Sequence, residues 1–262
     1  MRNSLIIPDL SKRDTSVSLL VVVEISDPSD NPVTMSLLDD FERQRANRLI
    51  RPADRRAFIA AHTLKRLILA NVIRHPPQQL DFYYDLHGKP RLTGHSRVHF
   101  SLSHTHGMVA FAYDSHEAAG VDVEHSDASV YDRSVAALCL TPEETSLVEE
   151  SADPNRAFMY FWTAKEAAMK AEGLAISLRD IHIADGAAAT QHNHWLVRHY
   201  QPSERHILAL ANRELLGGGL VSSATVCLAM KDDVLWQWAL HGDVPPQEKF
   251  TSFEAIEPEK FF

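Results

Sequence analysis

The chain has 262 residues, of which 45% are apolar and 23% charged, and its formal net charge at pH 7 is −9. These values predict a soluble globular protein of one or two domains with a substantial core. The overall negative charge and the absence of a recognised motif argue against extended nucleic-acid binding.

The apolar runs and the cysteines indicate a cytoplasmic protein. The run at 5–7 is too short for the core of a signal peptide, and the run at 19–23 has the length of a strand rather than of a membrane span. Cys139 and Cys227 each lie in an apolar stretch, which indicates buried free thiols rather than a disulfide. We therefore expect no association with membranes.

The first part of the chain contains predicted strands and two predicted helices. The strands lie at 17–25, 82–84, 98–102 and 108–113. The helices lie at 39–47 and 53–73, the second preceded by Pro52 and followed by two prolines. Turn-forming residues predict turns at 86–90 and 103–107.

The rest of the chain continues this mixture of strands and helices. A strand at 120–124 is followed by acidic helices within 129–170. Because no regular βαβ alternation appears, we expect an α+β fold. Further strands are predicted at 181–183, 195–197, 221–230 and 234–240, followed by a loosely held tail at 241–262.

Charge is unevenly distributed along the chain. Residues 114–155 carry eleven Asp and Glu against one Arg, whereas residues 41–74 carry nine basic residues against two acids. This asymmetry predicts one surface for anions and another for a metal ion, although most of these charges are expected on solvated helix faces. The basic residues are Arg43, Arg45, Arg48, Arg51, Arg55, Arg56, Lys65, Arg66 and Arg74.

Two acidic side chains share one face of the strand at 120–124. The sequence Gly-Val-Asp-Val-Glu alternates apolar and acidic residues, so Asp122 and Glu124 point the same way, roughly 7 Å apart along the strand. Carboxylates aimed at one point repel each other unless a positive charge lies between them. A hard cation such as Mg²⁺, which takes one or two carboxylates together with phosphate oxygens, is the expected partner.

The stretch at 155–172 predicts a helix, because it lacks Gly and Pro and is followed by Gly173 at the expected C-cap. Lys165 falls in the middle of its apolar face, and Glu166 and Lys170 lie one turn apart at the edge. An exposed salt bridge is the ordinary interpretation of Glu166 and Lys170. Lys165 needs a buried partner, for which we expect an anionic ligand or a carboxylate-rich metal site.

Other patterns for ligand binding are weak. The spaced pairs His104 with His106 and His192 with His194 lack a third ligand in a zinc pattern. The sequence also contains no Gly-x-x-x-x-Gly-Lys-Ser/Thr phosphate-binding loop.

Four motifs in order resemble the larger, Sfp-type group of 4'-phosphopantetheinyl transferases. They are Gly-Lys-Pro at 88–90, Phe-Ser-Leu-Ser-His-Thr at 100–105, the acidic strand at 120–124, and Trp-Thr-Ala-Lys-Glu-Ala-Ala-Met-Lys at 162–170. The resemblance covers residues 17–185 and extends, with fewer matching positions, to about 240. It implies two similar α+β halves related by a pseudo-twofold axis, at 1–117 and 118–240, with coenzyme A and Mg²⁺ in the cleft between them.

The implied reaction transfers 4'-phosphopantetheine from coenzyme A to a serine of an apo acyl or peptidyl carrier protein and releases adenosine 3',5'-bisphosphate. Asp122, Glu124 and Glu166 match the metal ligands of the family. Catalytic roles are expected for Asp122, for Glu166 as acceptor of the serine proton, and for Lys170 at the leaving phosphate. The positions expected to contact coenzyme A are Arg45, Lys89, Pro90, Ser103, His104, Lys165 and Lys170.

Some positions depart from the family pattern or leave alternatives open. Phe58 stands where some relatives carry a small hydroxyl residue, and Glu42 where some carry a basic residue. Glu144 matches an acidic position sometimes assigned to catalysis, so the base is Glu166, Glu144 or a metal-bound water. Two other functions stay open: a relative that binds coenzyme A or a carrier without transfer, and a magnesium-dependent enzyme that transfers an acyl group. We expect a monomer, and the carrier protein is not identified.

Overall fold

The computed structural model describes residues 18–26, 32–115, 117–126, 131–213 and 225–261. Its helices and strands mix along the chain, which confirms the α+β class. The strands are β1 (Ser18–Glu24), β2 (Phe82–Tyr84), β3 (Pro90–Leu92), β4 (His99–Thr105), β5 (Met108–Asp114), β6 (Ala119–His125), β7 (His182–Ala184), β8 (Ala187–Ala189), β9 (His194–Ser203), β10 (His206–Asn212), β11 (Thr225–Lys231), β12 (Thr251–Ser252) and β13 (Ala255–Ile256). The helices are α1 (Pro32–Leu37), α2 (Asp40–Arg48), α3 (Pro52–Ile73), α4 (Arg133–Cys139), α5 (Pro142–Glu150), α6 (Pro154–Glu172) and α7 (Asp232–His241).

The strands form two main sheets and one hairpin. The first sheet has the order β12-β11-β1-β5-β4, in which β1 runs parallel to β11 and antiparallel to β5. The second sheet has the order β6-β10-β9-β8-β7, with β13 paired to β9. Strands β2 and β3 form the separate hairpin. No helix in the described ranges is long and apolar enough to cross a membrane.

The two sheets pack face to face, and each is covered by a helix on its outer side. Leu19 of β1 packs with Leu64 of α3, whereas the next residue, Leu20, packs with Val121 and Leu208 of the second sheet. This alternation follows from the two-residue period of a strand. Helix α6 covers the other side of the second sheet. Each fully buried Leu or Val contributes roughly 1.5–3 kcal/mol.

The prediction that residues 118–240 form one half is wrong for the C-terminal part of that range. Strand β11 lies within the predicted second half but pairs with β1 of the first sheet, and α7 packs against α1 and α3. The segment 241–262 is also more firmly held than expected, as far as it is described. Strand β12 pairs with β11 and β13 with β9, and Phe250 and Phe261 are buried.

Residues 234–240 form part of helix α7 and not the predicted strand. Their aromatic and branched side chains favour a strand by propensity. Two aspartates in the first turn and Gly242 in a left-handed C-cap favour a helix instead. Leu235 and Trp238, one turn apart, are buried against the first sheet.

Strand β10 was not predicted, and β4 is longer than expected. The alanines of β10 have weak strand propensity, but all seven of its residues are buried between β6 and β9. Strand β4 continues through Ser103 and His104 to Thr105, where a turn was expected. These three residues therefore lie on the sheet beside β6, and their side chains have fixed directions.

Candidate active site

A close contact between β6 and α6 brings the acidic strand next to the helix that carries Glu166 and Lys170. A Cβ atom on Gly120 would lie 1.9 Å from the carbonyl oxygen of Ala167 and 2.4 Å from the nitrogen of Ala171. Only glycine permits this approach of two backbones. Helix α6 is held at its ends by Asp153, which accepts a hydrogen bond from Arg156 N, and by Gly173 in the left-handed conformation.

Lys170 and Asp122 form an ion pair at this contact. Lys170 Nζ lies 2.6 Å from Asp122 Oδ1, which also accepts a hydrogen bond of 2.9 Å from Ser103 Oγ. Asp122 is 3% exposed, and its other oxygen is buried without a hydrogen-bond partner among the described residues. A buried oxygen of this kind has a desolvation cost that a further cation would offset.

Glu124 and Glu166 lie in the same negative environment. Burial and the charge of Asp122 raise the pKa of Glu124 to about 7, although Trp162 Nε1 and Thr105 Oγ1 each donate to its carboxylate at 3.3 Å. Burial and Asp122 also raise the pKa of Glu166, against the opposing charge of Lys170. The ammonium of Lys170 thus acts on all three carboxylates, Asp122, Glu124 and Glu166.

The donor set fits a hard divalent cation in chemical type. Carboxylate oxygens are preferred by Mg²⁺, and the free oxygen of Asp122 together with the two raised pKa values indicates a deficit of positive charge. In the described part of the chain, however, no group of three or more His, Cys, Asp or Glu side chains is gathered closely enough to hold a metal ion. The meeting of Asp122, Glu124 and Glu166 around one ion therefore stays a prediction.

A cleft of about 370 Å³ opens beside this acidic centre. Arg45 lies over the ring of Phe58, 5.8 Å from its centroid, and Phe58 in turn stacks on His62 at 4.1 Å. Burial and the charge of Lys170 lower the pKa of His104, which contacts Phe58 edge-on. The residues that line the cleft are Arg45, Phe58, His62, Tyr84, His87, Gly88, Lys89, Pro90, Phe100, Ser101, Leu102, His104, Met169, Lys170, Gly173, Leu174 and Ala175.

Lys89 joins the β2–β3 hairpin to the end of α6 at the wall of the cleft. Its ammonium donates to the carbonyl oxygen of Lys170 and, at 3.4 Å, to that of Ala119. Burial, followed by the charge of Arg91, lowers the pKa of Lys89 to about 8. A cation at the C-terminus of a helix is favourable, so Lys89 stabilises the position of α6.

Lys165 does not face the cleft, and the expectation that its ammonium meets the ligand is wrong. Its side chain is fully buried and forms an ion pair with Glu144 of α5, with 2.6 Å between Nζ and Oε2. It also donates to the carbonyl oxygens of Leu178 and Ile181, at 3.1 and 2.6 Å. A buried lysine needs a partner, as predicted, but the partner is internal.

The carboxylate of Glu144 is engaged in structural contacts, one of which is the ion pair with Lys165. It forms a capping box with Thr141, accepts a hydrogen bond of 3.1 Å from Ile183 N, and binds Lys165. It is 4% exposed and does not line the cleft. Its position thus favours a structural role over a role as the base.

The basic segment at 41–74 is not, as a whole, a surface for anions. Lys65 and Arg66 are fully buried and bind Glu42 at 2.5 and 2.7 Å, and Arg66 also binds Asp39 at 2.6 Å. Burial alone would raise the pKa of Glu42, but a hydrogen bond from His62 and the charge of Lys65 bring this pKa well below its usual range. Glu42 therefore neutralises the buried cations Lys65 and Arg66 of α3. Arg45 is the basic residue of this segment that lines the cleft.

Sequence reasoning missed two residues of this centre, Ser101 and Thr105. Ser101 lines the cleft, and Thr105 binds Glu124. Together with Ser103 they occupy alternate positions of β4. This two-residue spacing of hydroxyl groups beside an acidic strand is the signal that identifies them.

Comparison with known proteins points to one family. A family model described as the 4'-phosphopantetheinyl transferase superfamily matches residues 118–215, and one described as 4'-phosphopantetheinyl transferase, N-terminal, matches residues 27–116. The chain is 32% identical over 168 residues to 4'-phosphopantetheinyl transferase HetI of Nostoc sp., covering 60% of this chain and 71% of HetI. It is 23% identical over 149 residues to 4'-phosphopantetheinyl transferase Sfp of Bacillus subtilis, covering 57% of this chain and 66% of Sfp.

Proposed function

The chain belongs to the 4'-phosphopantetheinyl transferase superfamily, a family of enzymes, and from this membership we propose the reaction and its participants. The enzyme transfers the 4'-phosphopantetheine group of coenzyme A to a serine of an apo acyl or peptidyl carrier protein. The other product is adenosine 3',5'-bisphosphate.

The ion pair between Lys170 and Asp122 is the observation that carries this proposal. It places a cation at the junction of the acidic centre and the cleft, since Lys170 both binds Asp122 at 2.6 Å and lines the cleft. Transfer of a phosphoryl group depends mainly on positioning and on stabilising the charge of the transferred group. A junction of carboxylates, an ammonium group and an open cleft supports this type of chemistry.

Coenzyme A occupies the cleft in this proposal. Its phosphates meet the Arg45 guanidinium and the Lys89 ammonium, and His104 and Pro90 also line the cleft that holds it. The aromatic ring of Phe58 offers an apolar surface to the adenine ring of coenzyme A. Lys165 has no part in binding, because its charge is already neutralised by Glu144.

The proposed metal is Mg²⁺, held by Asp122, Glu124 and Glu166. When bound, it supplies positive charge that stabilises the phosphate oxygens during transfer. The buried free oxygen of Asp122 and the raised pKa of Glu124 and of Glu166 support this assignment.

Proton and charge movements are then assigned to two residues of α6. Glu166, a carboxylate of the acidic centre one turn from Lys170, accepts the proton of the carrier serine. The serine oxygen forms a bond to the phosphorus of 4'-phosphopantetheine, and the bond from this phosphorus to the bridging oxygen breaks. Lys170 stabilises the negative charge that develops on the leaving phosphate.

Mass spectrometry of carrier proteins tests the proposal directly. The protein is incubated with coenzyme A, Mg²⁺ and a panel of apo carriers from fatty-acid, polyketide and nonribosomal-peptide synthesis. We expect a mass increase of one 4'-phosphopantetheine on at least one carrier, and none on a carrier whose serine is replaced by alanine. Coenzyme A binding without a mass increase would indicate a binding protein, and an acyl increase from acyl-coenzyme A would indicate acyl transfer.

We further propose that the enzyme acts as a monomer, because both walls of the cleft come from one chain. We also propose that it is cytoplasmic, as its apolar runs and cysteines indicate. Light scattering of the purified protein at working concentration tests the oligomeric state. A dimer whose separation abolishes transfer would contradict this part of the proposal.

A further inference from the structure

Ser103 uses its whole hydrogen-bonding capacity inside the acidic centre. Its hydroxyl donates to Asp122 Oδ1 at 2.9 Å and accepts from Lys170 Nζ at 3.2 Å and from the backbone nitrogen of Val123 at 3.3 Å. A serine hydroxyl has one donor and two acceptor sites. All three are therefore occupied.

Ser101 on the same strand provides an internal comparison. It stands two residues earlier, on the same face of β4, and accepts a hydrogen bond of 3.1 Å from the backbone nitrogen of Val121. Among the described residues this is the one hydrogen bond of its side chain, and Ser101 lines the cleft whereas Ser103 does not. The two serines thus bind β6 in the same way, but only Ser103 also binds the ion pair.

We propose that Ser103 is a positioning residue that holds the Asp122 carboxylate and the Lys170 ammonium in their relative places. This inference rests on the proposed function and gives Ser103 a role in addition to the contact with coenzyme A that the family resemblance implies. Ser103 belongs to the first sheet, whereas Asp122 and Lys170 belong to the second sheet and its helix. The hydroxyl therefore ties the position of the ion pair to the first sheet, whose strand β4 also lines the cleft.

A positioning role has a kinetic consequence that a ligand contact does not have. Lys170 is joined to its helix by a flexible chain, and Asp122 keeps only one of its two side-chain partners when the hydroxyl is lost. The two groups then sample more arrangements, which affects turnover but not the walls of the cleft. Loss of such a supporting group typically costs about 10- to 100-fold in activity.

The first experiment compares Ser103→Ala with Ser101→Ala. For Ser103→Ala we expect kcat to fall about 10- to 100-fold, a larger change than that in the calorimetric Kd for coenzyme A. For Ser101→Ala we expect the larger effect on Kd. An increase in Kd of tenfold or more with unchanged kcat for Ser103→Ala would overturn the proposal, as would no change in either quantity.

A second pair of variants keeps the test valid if Ser103→Ala fails to fold. Ser103→Thr and Ser103→Val have the same shape and differ in the hydroxyl, so both carry the same steric cost. We expect Thr to retain at least tenfold more kcat than Val. Equal kcat values would overturn the proposal.

A crystal structure of Ser103→Ala separates this inference from the proposed function. We expect the Lys170 and Asp122 side chains to lie in changed positions while β4 and β6 stay in place. An unchanged ion pair would contradict the positioning role even if the protein transfers 4'-phosphopantetheine. Conversely, absence of transfer by the unmodified protein on every carrier would contradict the proposed function and leave this structural result interpretable.

Discussion

Lys170 and Asp122, 48 residues apart in the chain, form an ion pair with 2.6 Å between Nζ and Oδ1. The spacing of α6 alone suggests that Lys170 pairs with Glu166, one turn before it. The structure instead directs this ammonium across to β6, where the close contact at Gly120 makes the distance short. Lys170 is thereby placed between the carboxylates and the cleft.

Replacing Lys170 tests its place at the leaving phosphate. For Lys170→Ala we expect kcat to fall about 100-fold and the Kd for coenzyme A to change less than about threefold, because the ammonium acts on charge that develops during transfer. Steady-state kinetics and calorimetry measure the two quantities. The control is Lys170→Arg, which keeps the charge. Equal losses in kcat and affinity would mean that Lys170 only binds the ligand.

The three carboxylates are tested by variants that remove charge or side chain. We expect Glu166→Gln and Asp122→Ala to lose about 100-fold or more in turnover with a retained circular dichroism spectrum, since each removes a proposed metal contact. Glu143→Gln, which alters an exposed acid on α5, is the control. Near-normal activity of both site variants at limiting Mg²⁺ would end the metal assignment.

The buried pair of Lys165 and Glu144 is expected to matter for stability and not for binding. Lys165→Met or Glu144→Gln alone leaves a buried charge without its partner, and each should cost about 3–5 kcal/mol in the free energy of unfolding. The double variant should recover most of this loss. The exposed pair Arg133 and Glu149, 2.9 Å apart, is the control, and Arg133→Ala should cost less than about 1 kcal/mol.

Urea denaturation of all these variants, with coenzyme A titrations alongside, measures both effects. A Lys165→Met variant with normal stability and weakened coenzyme A binding would show that Lys165 reaches the ligand after all.

Gly120→Ala tests the contact that assembles the site. The added Cβ would meet the backbone of α6 at 1.9 Å, so we expect a loss of about 3 kcal/mol or more and little activity. Gly94→Ala is the control, because nothing lies within 4 Å of its Cβ and its φ of +75° carries only the strain of the left-handed conformation, about 1 kcal/mol. Equal thermal stability of the two variants would contradict the close approach of β6 and α6.

Because His199 is buried, we expect the protein to lose stability in acid. The ring of His199 stacks on Tyr160 at 4.1 Å, and burial lowers its pKa from 6.5 to about 4. Because the folded pKa is below the unfolded one, the contribution is complete above pH 6.5 and is lost as the pH falls from 6.5 to 4, by up to about 3 kcal/mol.

Urea denaturation at pH 7.5 and pH 5 checks this prediction. In His199→Phe, which keeps an aromatic ring, the difference in free energy of unfolding between the two pH values should be smaller than in the unmodified protein. An unchanged difference would assign the acid sensitivity to other groups.

Local spacing correctly predicted the strand and the helix that carry the acidic residues. The alternation at 120–124 places Asp122 and Glu124 on one side of β6, and α6 runs from Pro154 to its cap at Gly173. These features depend on residues a few positions apart, which share a face by the geometry of a strand or a helix. The order of the four motifs likewise indicated the family, which the comparisons confirm.

Long-range packing decided which charges meet, and sequence spacing does not contain that information. Lys165 was recognised as a buried cation, but its partner Glu144 comes from α5, whereas Lys170 pairs with Asp122 of β6. In the same way, α7 became a helix because its Leu and Trp cover the first sheet. A residue's own neighbours determine the direction of its side chain, while the identity of the atom it meets depends on how separate elements pack to exclude water.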